Sequence, residues 1–377
     1  MRTVLGLDHE AFRDQARRFI GNEIVPRYGQ FLADGLVPKD VWRKAGQAGM
    51  LCLSTPEEYG GAGADFGFTA VLIEELYRAH ATGVAFTLHS DIVAPYILAY
   101  GNDQARHRWL PRMVSGETIG AIAMTEPGTG SDLKAIRTTA TRDGDEYVIK
   151  GSKTYISNGI NAGLVIVAAK TDPEAGHRGV SLIVVEDGTP GFSRGRKLAK
   201  IGLHAQDTAE LFFDDVRVPI GNRLGEENQG FRYLMHQLPQ ERLIIALGAA
   251  ASMEAMLTET IGFTRDRQAF GRSILEFQNT RFKLADAKAQ ATMFRVFVDD
   301  CLALLLKGEL TAERAAMAKL MGTEMQGRLL DEFVQLHGGA GFMAEYPIGR
   351  AWADARVMRI YGGSSEIMRE IIAKGLA

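Results

Sequence analysis

The hydrophobic pattern of this chain changes twice, and the order of the patterns limits the fold more than any single motif does. From residue 8 to about 118, apolar residues such as Phe12 and Phe19 recur at helical spacing, and Pro26 is expected to end the first helix. From about residue 119, short alternating runs are broken by turn residues such as Asp143-Gly144, which indicates antiparallel hairpins. Beyond Gly230 two long helical patterns follow. We therefore predict an α+β fold with a helical domain at 1–119, an antiparallel β-sheet or barrel at 120–224 and a helical bundle at 225–377.

Composition and cysteine usage are those of an ordinary soluble globular protein. The 377 residues are 46% hydrophobic and 24% charged. The net charge of −3 gives no general electrostatic reason to expect a nucleic acid or an anionic membrane as a partner. Cys52 and Cys301 lie far apart in the sequence, and no H-x-x-x-H or C-x-x-C pair occurs. We therefore predict no metal site and no disulfide framework.

Two segments bear on where the protein resides. The N-terminus, MRTVLGLDHEAF, lacks the apolar core of a signal peptide, so we expect a cytoplasmic bacterial protein, with a processed organellar protein as the alternative. The most apolar long segment, residues 243–257, is interrupted by Ser252 and Glu254 and is too short to cross a bilayer. We interpret this segment as a buried helix.

One loop offers groups that can bind a polar ligand, although it is not a standard nucleotide-binding motif. No G-x-G-x-x-G follows a strand and no P-loop occurs, so a nucleotide cofactor would need another scaffold. In AMTEPGTGSD, residues 123–132, Pro and Gly shape a loop that leaves amides and hydroxyls free for a ring edge or a phosphate. The hydroxyls are those of Thr125, Thr129 and Ser131. A plain loop of the β domain is the alternative interpretation.

A second candidate is RIYGGSSEIMRE, residues 359–370, close to the C-terminus. Gly362 and Gly363 precede a predicted final helix, for which Ser364 and Ser365 are N-cap candidates. Free amides at the start of a helix attract an anion or a carbonyl oxygen. A simple turn is the alternative, because glycine adopts unusual dihedral angles without steric cost.

Five segments in order resemble the acyl-CoA dehydrogenase family of flavoenzymes: AMTEPGTGSD, KGSKTYISNG, RDRQAFG, VQLHGGAGF and IYGGSSEIM. The resemblance extends over essentially the whole chain. Within the family, QDTAELFFDDVRVP, LPQERL and YGGSSEIM are most similar to the long-chain type. The resemblance to the family implies an N-terminal helical domain, a middle antiparallel β-barrel or sandwich and a C-terminal four-helix bundle. It also implies a homotetramer.

The resemblance further implies FAD bound between domains and across a subunit interface. By position, the isoalloxazine would be surrounded by Met124, Thr125, Ser131, Tyr155, Ile156 and Ser157, and Tyr155 stands where relatives carry Trp or Phe. The diphosphate and adenosine of a partner's FAD would meet Arg267, Phe270 and Gln278. A neighbouring chain's cofactor would approach Gln335, Gly338 and Gly339. Glu366 matches a position near the flavin ribityl and diphosphate, and Ser364 is a further cofactor-binding residue. Without the resemblance, Arg267 would be an exposed helix arginine, and the glycines of QLHGG a helix C-cap.

Dehydrogenation of an acyl thioester needs a base for the α-proton, while the β-hydrogen leaves as hydride to flavin N5. Many family members carry a glutamate directly after the tyrosine of the C-terminal motif, but this chain has Gly362 there. Long-chain and isovaleryl-type relatives place the base in the segment that corresponds to LPQERL, which implies Glu241. Taken alone, Glu241 just after Pro239 would be a first-turn helix acid. We expect burial to raise its pKa towards the working pH.

The remaining expectations concern the substrate. The Gly362 N–H would bind the thioester oxygen together with the FAD ribityl hydroxyl, and the further contacts with acyl-CoA would come from Ser131, Arg242, Tyr361 and Gly363. Residues 84–98 are either the floor of the acyl cavity or an ordinary core helix, and the small residues of ALGAAASMEAM either leave room for the chain or permit close helix packing.

The predicted function is therefore dehydrogenation of a long-chain acyl-CoA to the trans-2-enoyl-CoA in fatty acid β-oxidation, with an electron-transfer flavoprotein as electron acceptor. Alternatives are a dehydrogenase for branched or terpenoid acyl-CoA, an oxidase or flavin monooxygenase, and a catalytically silent protein that binds flavin or acyl-CoA. Gly362 favours the silent protein, and Glu241 argues against it.

Overall fold

The computed structural model describes residues 2–376 and begins with a helical region. Its helices are α1 (Leu7–Phe19), α2 (Tyr28–Asp34), α3 (Lys39–Gln47), α4 (Phe66–Arg78), α5 (Ala94–Tyr100) and α6 (Asp103–Val114). A π-helical turn, Leu88–Val93, leads directly into α5.

The sequence pattern predicted that the first helix ends at Pro26, and this prediction is wrong. α1 ends at Phe19, and the chain continues through a π-helical turn at Ile20–Ile24 and a 3₁₀ turn at Val25–Arg27 before α2 begins. Pro26 lies in the first turn of the 3₁₀ segment, where a backbone N–H would lack a helical partner in any case. Proline there changes the type of helix instead of stopping it.

A β region follows, with strands β1 (Gly120–Ala123), β2 (Thr139–Asp143), β3 (Glu146–Ser157), β4 (Leu164–Lys170), β5 (Val180–Glu186), β6 (Phe192–Lys197), β7 (Thr208–Pro219) and β8 (Arg223–Leu224). The strand order is β6-β7-β3-β2-β4-β5-β8, with β1 beside β4. The β2–β3 hairpin turns at Asp143-Gly144, as predicted. Most pairs are antiparallel, but β4 runs parallel to β1 and, at one residue pair, to β2. The β2–β3 hairpin lies between β1 and β4 in the chain and provides the long connection that a parallel pair needs.

Strands β4 and β5 are apolar on both faces, which explains their continuous hydrophobic runs. In β4, Leu164 and Ile166 pack into the core shared with the helices, whereas Val165 and Val167 pack inside the sheet region itself. Successive side chains of a strand point to opposite faces, so a strand between two cores is apolar throughout. These two strands attach the β region to the helical regions on either side of it.

The C-terminal region comprises α7 (Gly230–Asp266), the short strands β9 (Gln268–Ala269) and β10 (Arg272–Ser273), α8 (Gln278–Leu306), α9 (Ala312–His337), α10 (Pro347–Ala355) and α11 (Ser365–Lys374). The predicted α+β class, helical at both ends with a β-sheet between, is confirmed.

Residues 243–257 are a buried helix, as predicted, but the helix is longer than the apolar segment. α7 has 37 residues, and by length and composition it could cross a membrane, with a mean hydropathy of 1.4 in its most apolar window. In that window 72% of the residues are buried inside the protein. The apolar character of α7 is therefore explained by packing against its neighbours.

Buried ion pairs tie the N-terminal helices to the C-terminal ones. Glu74 of α4 accepts hydrogen bonds from Arg13 of α1 and Arg295 of α8, both at 3.0 Å. Arg295 also makes a two-pronged contact with Glu254 of α7, with both distances 2.7 Å. Buried charges need such partners because water no longer stabilises them. The network fixes α4 against α7, the helix that carries the candidate base.

Candidate active site

Glu241 lies inside the protein on α7, with its carboxylate held by a tyrosine from α5. The residue is 6% exposed. The hydroxyl of Tyr96 donates a hydrogen bond to Glu241 Oε1 at 2.9 Å. The neighbouring Gln240 donates from Nε2 to the carbonyl oxygen of Asp91 at 2.8 Å, which joins the π-helical turn before α5 to α7. The segment 84–98 thus contacts the candidate base, through a tyrosine that the sequence analysis did not single out.

The burial of Glu241 changes its acid–base chemistry. Loss of water raises the pKa of Glu241 from its ordinary 4.5 to about 7, and the smaller effects of the Tyr96 hydrogen bond and the Arg242 charge act in the opposite direction. A carboxylate that exchanges its proton near neutral pH is suited to general base catalysis. The geometry and the pKa therefore agree with the role expected for Glu241.

The glycine pair Gly362 and Gly363 forms a left-handed turn just before α11. Their φ angles are +63° and +99°. Ser364 caps α11, because its hydroxyl accepts a hydrogen bond from the Ile367 N–H at 3.4 Å, which confirms the predicted cap. Within residues 2–376, the N–H of Gly362 donates to no protein acceptor. This donor is available for a ligand oxygen.

Gly362 packs against the face of α7 that carries Glu241. A Cβ on Gly362 would lie 2.7 Å from Ile245 Cδ1. Ile245 is one helical turn after Glu241, and long helical side chains lean towards the N-terminus of their helix. The structure therefore places Gly362 against the turn of α7 that follows Glu241, although the two residues are far apart in the sequence.

Two buried cations contact the carbonyls of the glycine pair. Arg242 donates from Nε to the Gly362 oxygen at 3.4 Å, and the ammonium group of Lys319, on α9, donates to the Gly363 oxygen. Arg242 is 4% and Lys319 is 1% exposed. The predicted contact of Arg242 with acyl-CoA stays a prediction. Lys319 was missed, although a lysine on the same helix face as Ala315 and Gly322 is a recognisable signal.

The loop at residues 123–132 is fixed to strand β3. The Thr154 N–H donates to the Thr125 oxygen at 2.9 Å. The buried Lys153 ammonium donates to the Met124 oxygen at 3.1 Å and to Glu126 Oε1 at 2.9 Å. Met124 also packs at the edge of the core shared with the helices. The sequence did not predict Lys153 and Glu126 as site residues, because nothing in their spacing shows that they form a buried ion pair.

Tyr155 projects from an irregularity in β3. The register with β7 shifts between Lys153 and Ile156, and Tyr155 lies in this shift with a φ of +60°. Its side chain is 70% exposed, whereas Ile156 is buried. A non-glycine residue at positive φ stores strain, which is often found at ligand sites. An exposed aromatic ring held in this way offers a surface on which a flat ligand can stack.

Six predicted cofactor residues lie at the other end of the bundle. Phe263 stacks on His337 with ring centres 4.2 Å apart, which places the ends of α7 and α9 side by side. Phe270, at the tip of the β9–β10 hairpin, is 97% exposed with a φ of +51°. From Glu241 to Arg267 the helix advances about 39 Å, at 1.5 Å per residue. All six residues are exposed: Arg267, Phe270, Gln278, Gln335, Gly338 and Gly339.

The small residues of α7 permit close helix packing at one point at least. A Cβ on Gly248 would lie 2.7 Å from the hydroxyl oxygen of Tyr77 on α4. This observation favours the packing interpretation of ALGAAASMEAM at Gly248.

Of the other predicted site residues, Ser131, Tyr361 and Glu366 are exposed, and Thr125 and Ser157 are partly buried.

Three family models together match nearly the whole chain. The model described as acyl-CoA dehydrogenase, N-terminal domain, matches residues 7–117. The models for the middle and C-terminal domains of acyl-CoA dehydrogenase match residues 121–216 and 228–377. They follow one another in the same order as the helical, β and helical regions of the structure.

Individual relatives agree with the family models. The mitochondrial long-chain specific acyl-CoA dehydrogenase of Sus scrofa is 47% identical over 99% of this chain and 87% of its own length. The mitochondrial isovaleryl-CoA dehydrogenase of Oryza sativa subsp. japonica is 36% identical over 97% of this chain and 90% of its own length. The crystal structure of an acyl-CoA dehydrogenase from Geobacillus kaustophilus superimposes with a TM-score of 0.98, is 47% identical, and is covered completely by this chain, as this chain is by it.

Proposed function

The chain belongs to the acyl-CoA dehydrogenase family and is an oxidoreductase that acts on acyl-CoA; we propose that it dehydrogenates long-chain acyl-CoA between the α and β carbons with Glu241 as the base. One observation carries the proposal. Glu241, a buried carboxylate with a pKa of about 7, lies one helical turn before Ile245, the residue of α7 on which Gly362 packs, and the N–H of Gly362 has no protein acceptor within residues 2–376. The trans-2-enoyl-CoA would be the product, as in fatty acid β-oxidation.

Glu241 takes the α-proton in its carboxylate form. The Tyr96 hydroxyl, 2.9 Å from Oε1, orients the carboxylate and stabilises its charged form. Burial acts in the opposite direction, so the proton is held with an affinity close to that needed at neutral pH. This balance lets the same group accept the α-proton and later release it to solvent.

Gly362 supplies the complementary hydrogen bond. As the α-proton leaves, negative charge develops on the thioester oxygen, and a backbone N–H already in place stabilises it without reorganisation. The left-handed conformation directs this N–H away from the protein's own acceptors. Gly362 thus has a function of its own, while Glu241 takes the role of the glutamate that many relatives carry at the position of Gly362.

The cofactor residues expected from the resemblance fit FAD. The exposed, strained Tyr155 provides a stacking surface, and the fixed loop of Met124, Thr125 and Ser131 provides polar and apolar groups. Ser157 is partly buried, and the buried Ile156 would contact FAD through its backbone. When bound, FAD supplies the acceptor for the β-hydrogen, which leaves as a hydride. Glu366 and the N-terminus of α11 at Ser364 would lie along the ribityl and diphosphate.

A second copy of the chain would complete the cofactor site. The group of exposed residues that includes Arg267 and Phe270 lies about 39 Å along α7 from Glu241, longer than a single FAD molecule. Gly338 and Gly339 have open space where side chains would stand, so a cofactor held by a neighbour can approach their backbone. We propose that these residues contact FAD in a partner subunit of a homotetramer, and that an electron-transfer flavoprotein receives the electrons.

The length of the acyl chain is tested by anaerobic titration of the FAD-loaded protein with hexadecanoyl-, octanoyl-, butanoyl- and isovaleryl-CoA. We expect hexadecanoyl-CoA to bleach the flavin fastest, since the pig relative that is 47% identical is long-chain specific. Faster bleaching by isovaleryl-CoA would replace the long-chain proposal with a branched-chain one. No bleaching by any thioester would favour a silent flavin-binding protein, and peroxide formation in air would favour an oxidase.

Replacing Tyr96 with phenylalanine should shift the pH dependence of the reaction upward. The Tyr96 hydrogen bond stabilises the charged carboxylate, so its loss raises the pKa of Glu241 further above about 7. Activity that requires the carboxylate then appears at higher pH, by about one unit for a lost bond to a charged group. The measurement is kcat/KM against pH.

Tyr100→Phe is the matched control for this shift. Tyr100 is on the same helix, but its hydroxyl contacts His236 at 2.9 Å rather than Glu241. We expect this variant to keep the pH profile of the native protein. An acid limb that stays in place, or moves to lower pH, in Tyr96→Phe would show that Glu241 does not govern the reaction through this hydrogen bond.

A further inference from the structure

The buried ammonium group of Lys319 lowers the stability of the folded protein, which suggests that it has a function. The residue is 1% exposed, and no carboxylate of residues 2–376 forms a salt bridge with it. Burial, and to a lesser extent the positive charge of Arg242, lowers the pKa of Lys319 to about 8, and the more distant charge of Glu324 offsets only part of this effect. An ammonium group without a carboxylate partner is expensive to remove from water. An apolar residue of similar length would fill the same space at lower cost.

The group that Lys319 contacts is the carbonyl of Gly363. Its ammonium nitrogen donates to that oxygen, while Arg242 donates to the preceding carbonyl, that of Gly362, at 3.4 Å. The two cations come from different helices, α9 and α7. Consecutive carbonyls of one turn are therefore held from two directions by side chains of the bundle.

Such an anchor matters at this turn because glycine lacks a Cβ. A glycine pair adopts positive and negative φ with similar ease, so the sequence alone leaves the direction of the Gly362 N–H open. The N–H of Gly362 is separated from the carbonyl of the same residue by only two rotatable bonds, φ and ψ, and φ is left-handed at +63°. Contacts that fix the carbonyls of Gly362 and Gly363 therefore restrict the directions that the Gly362 N–H can take.

We propose that Lys319, together with Arg242, clamps the Gly362–Gly363 turn so that the Gly362 N–H stays directed at the thioester oxygen. Lys319 is in this view a positioning residue, since it acts on the reaction through the backbone of another residue. The assignment of the oxygen to Gly362 rests on the proposed function, whereas the clamp on the turn is a property of the protein itself.

The clamp is tested first without any substrate, by hydrogen–deuterium exchange. Lys319→Met removes the ammonium group but keeps an unbranched apolar side chain. In this variant we expect the peptide covering residues 359–366 to exchange about fivefold faster or more than in the native protein, because local opening becomes easier. Unchanged exchange in this peptide would overturn the clamp.

The second readout is flavin reduction by saturating acyl-CoA in a single turnover. We expect Lys319→Met to retain FAD and to keep the Kd for acyl-CoA within about threefold, while reduction slows by about tenfold to a hundredfold, up to the loss caused by removing an oxyanion donor. Lys319→Arg keeps a cationic donor and should recover part of the rate. A rate within about twofold of the native one in Lys319→Met would show a purely structural role, because misdirection of this donor costs at least tenfold.

Lys283→Met is the matched control. Lys283 lies on the neighbouring helix α8 and pairs with Glu332, which is about 20 Å along α9 from Lys319 at 1.5 Å per residue, so neither readout should change. Should Lys319→Met not fold, Lys319→Gln gives the same exchange comparison. A native protein that no acyl-CoA reduces would contradict the proposed function but not the clamp, since the exchange experiment needs no substrate.

Discussion

Glu241→Gln is expected to slow flavin reduction by acyl-CoA about a thousandfold or more, within the range attributed to general base catalysis. Glutamine has nearly the same shape and can still accept the hydrogen bond from Tyr96, which lies 2.9 Å from Glu241 Oε1. It cannot take up the α-proton. Anaerobic stopped-flow measurement of flavin absorbance, with FAD content and thermal stability determined in parallel, separates the loss of the base from the loss of the cofactor.

Glu259→Gln is the control for this experiment. Glu259 is on the same helix, but it is exposed and pairs with His80 at 3.2 Å. We expect its flavin reduction rate to stay close to that of the native protein. If Glu241→Gln still reduces at more than about a tenth of the native rate, the proton goes to another group, because a true base contributes at least a hundredfold. The exposed Glu366 would then be the next carboxylate to test.

Gly362→Ala is expected to slow flavin reduction by about a hundredfold, the size of effect that a misplacement of 1 Å can cause. The added Cβ would lie 2.7 Å from Ile245 Cδ1, so the turn has to move. The left-handed backbone is also unfavourable for alanine by about 1–2 kcal/mol. Both effects displace the amide that is proposed to bind the thioester oxygen. Single-turnover reduction rates and Tm values measure the two contributions.

Two further variants separate the clash from the backbone strain. Gly308 has a similar φ of +73° and no atom within 4 Å of its added Cβ, so Gly308→Ala should lower Tm without changing the reduction rate. Combining Gly362→Ala with Ile245→Val removes the clashing Cδ1 atom and should recover part of the rate. A Gly362→Ala variant with the native rate would contradict the role of this amide.

Much of this architecture is readable from local patterns. The change from helical to alternating spacing locates the β region, and Asp143-Gly144 marks the hairpin that the structure shows. The cap at Ser364 follows from a hydroxyl directly before an apolar helix. These features depend on neighbours within a few residues, so the sequence contains the whole interaction. Pro26 is a local signal that gave a wrong prediction, because the chain stays helical through a π-helical turn before it and a 3₁₀ turn that contains it.

The sequence by itself also determined the candidate base, but only because Gly362 and Glu241 could be considered together in the light of a family resemblance. How the two residues are placed relative to one another depends on the tertiary structure. Gly362 meets α7 through Ile245, and the carboxylate of Glu241 acquires its raised pKa only when α5 and its neighbours exclude water. Desolvation depends on everything packed around a group, which no spacing rule contains.

Tyr96 and Lys319 show what only the tertiary structure decided. Each has small or apolar neighbours along its helix, and either could have faced water or filled a core. Tyr96 finds its acceptor 145 residues away and Lys319 finds its own 44 residues away. Helical periodicity tells which face of a helix is buried but not which helix covers it. The choice of partner, and with it the chemistry of the site, comes from the packing of α5, α7 and α9 around the glycine turn.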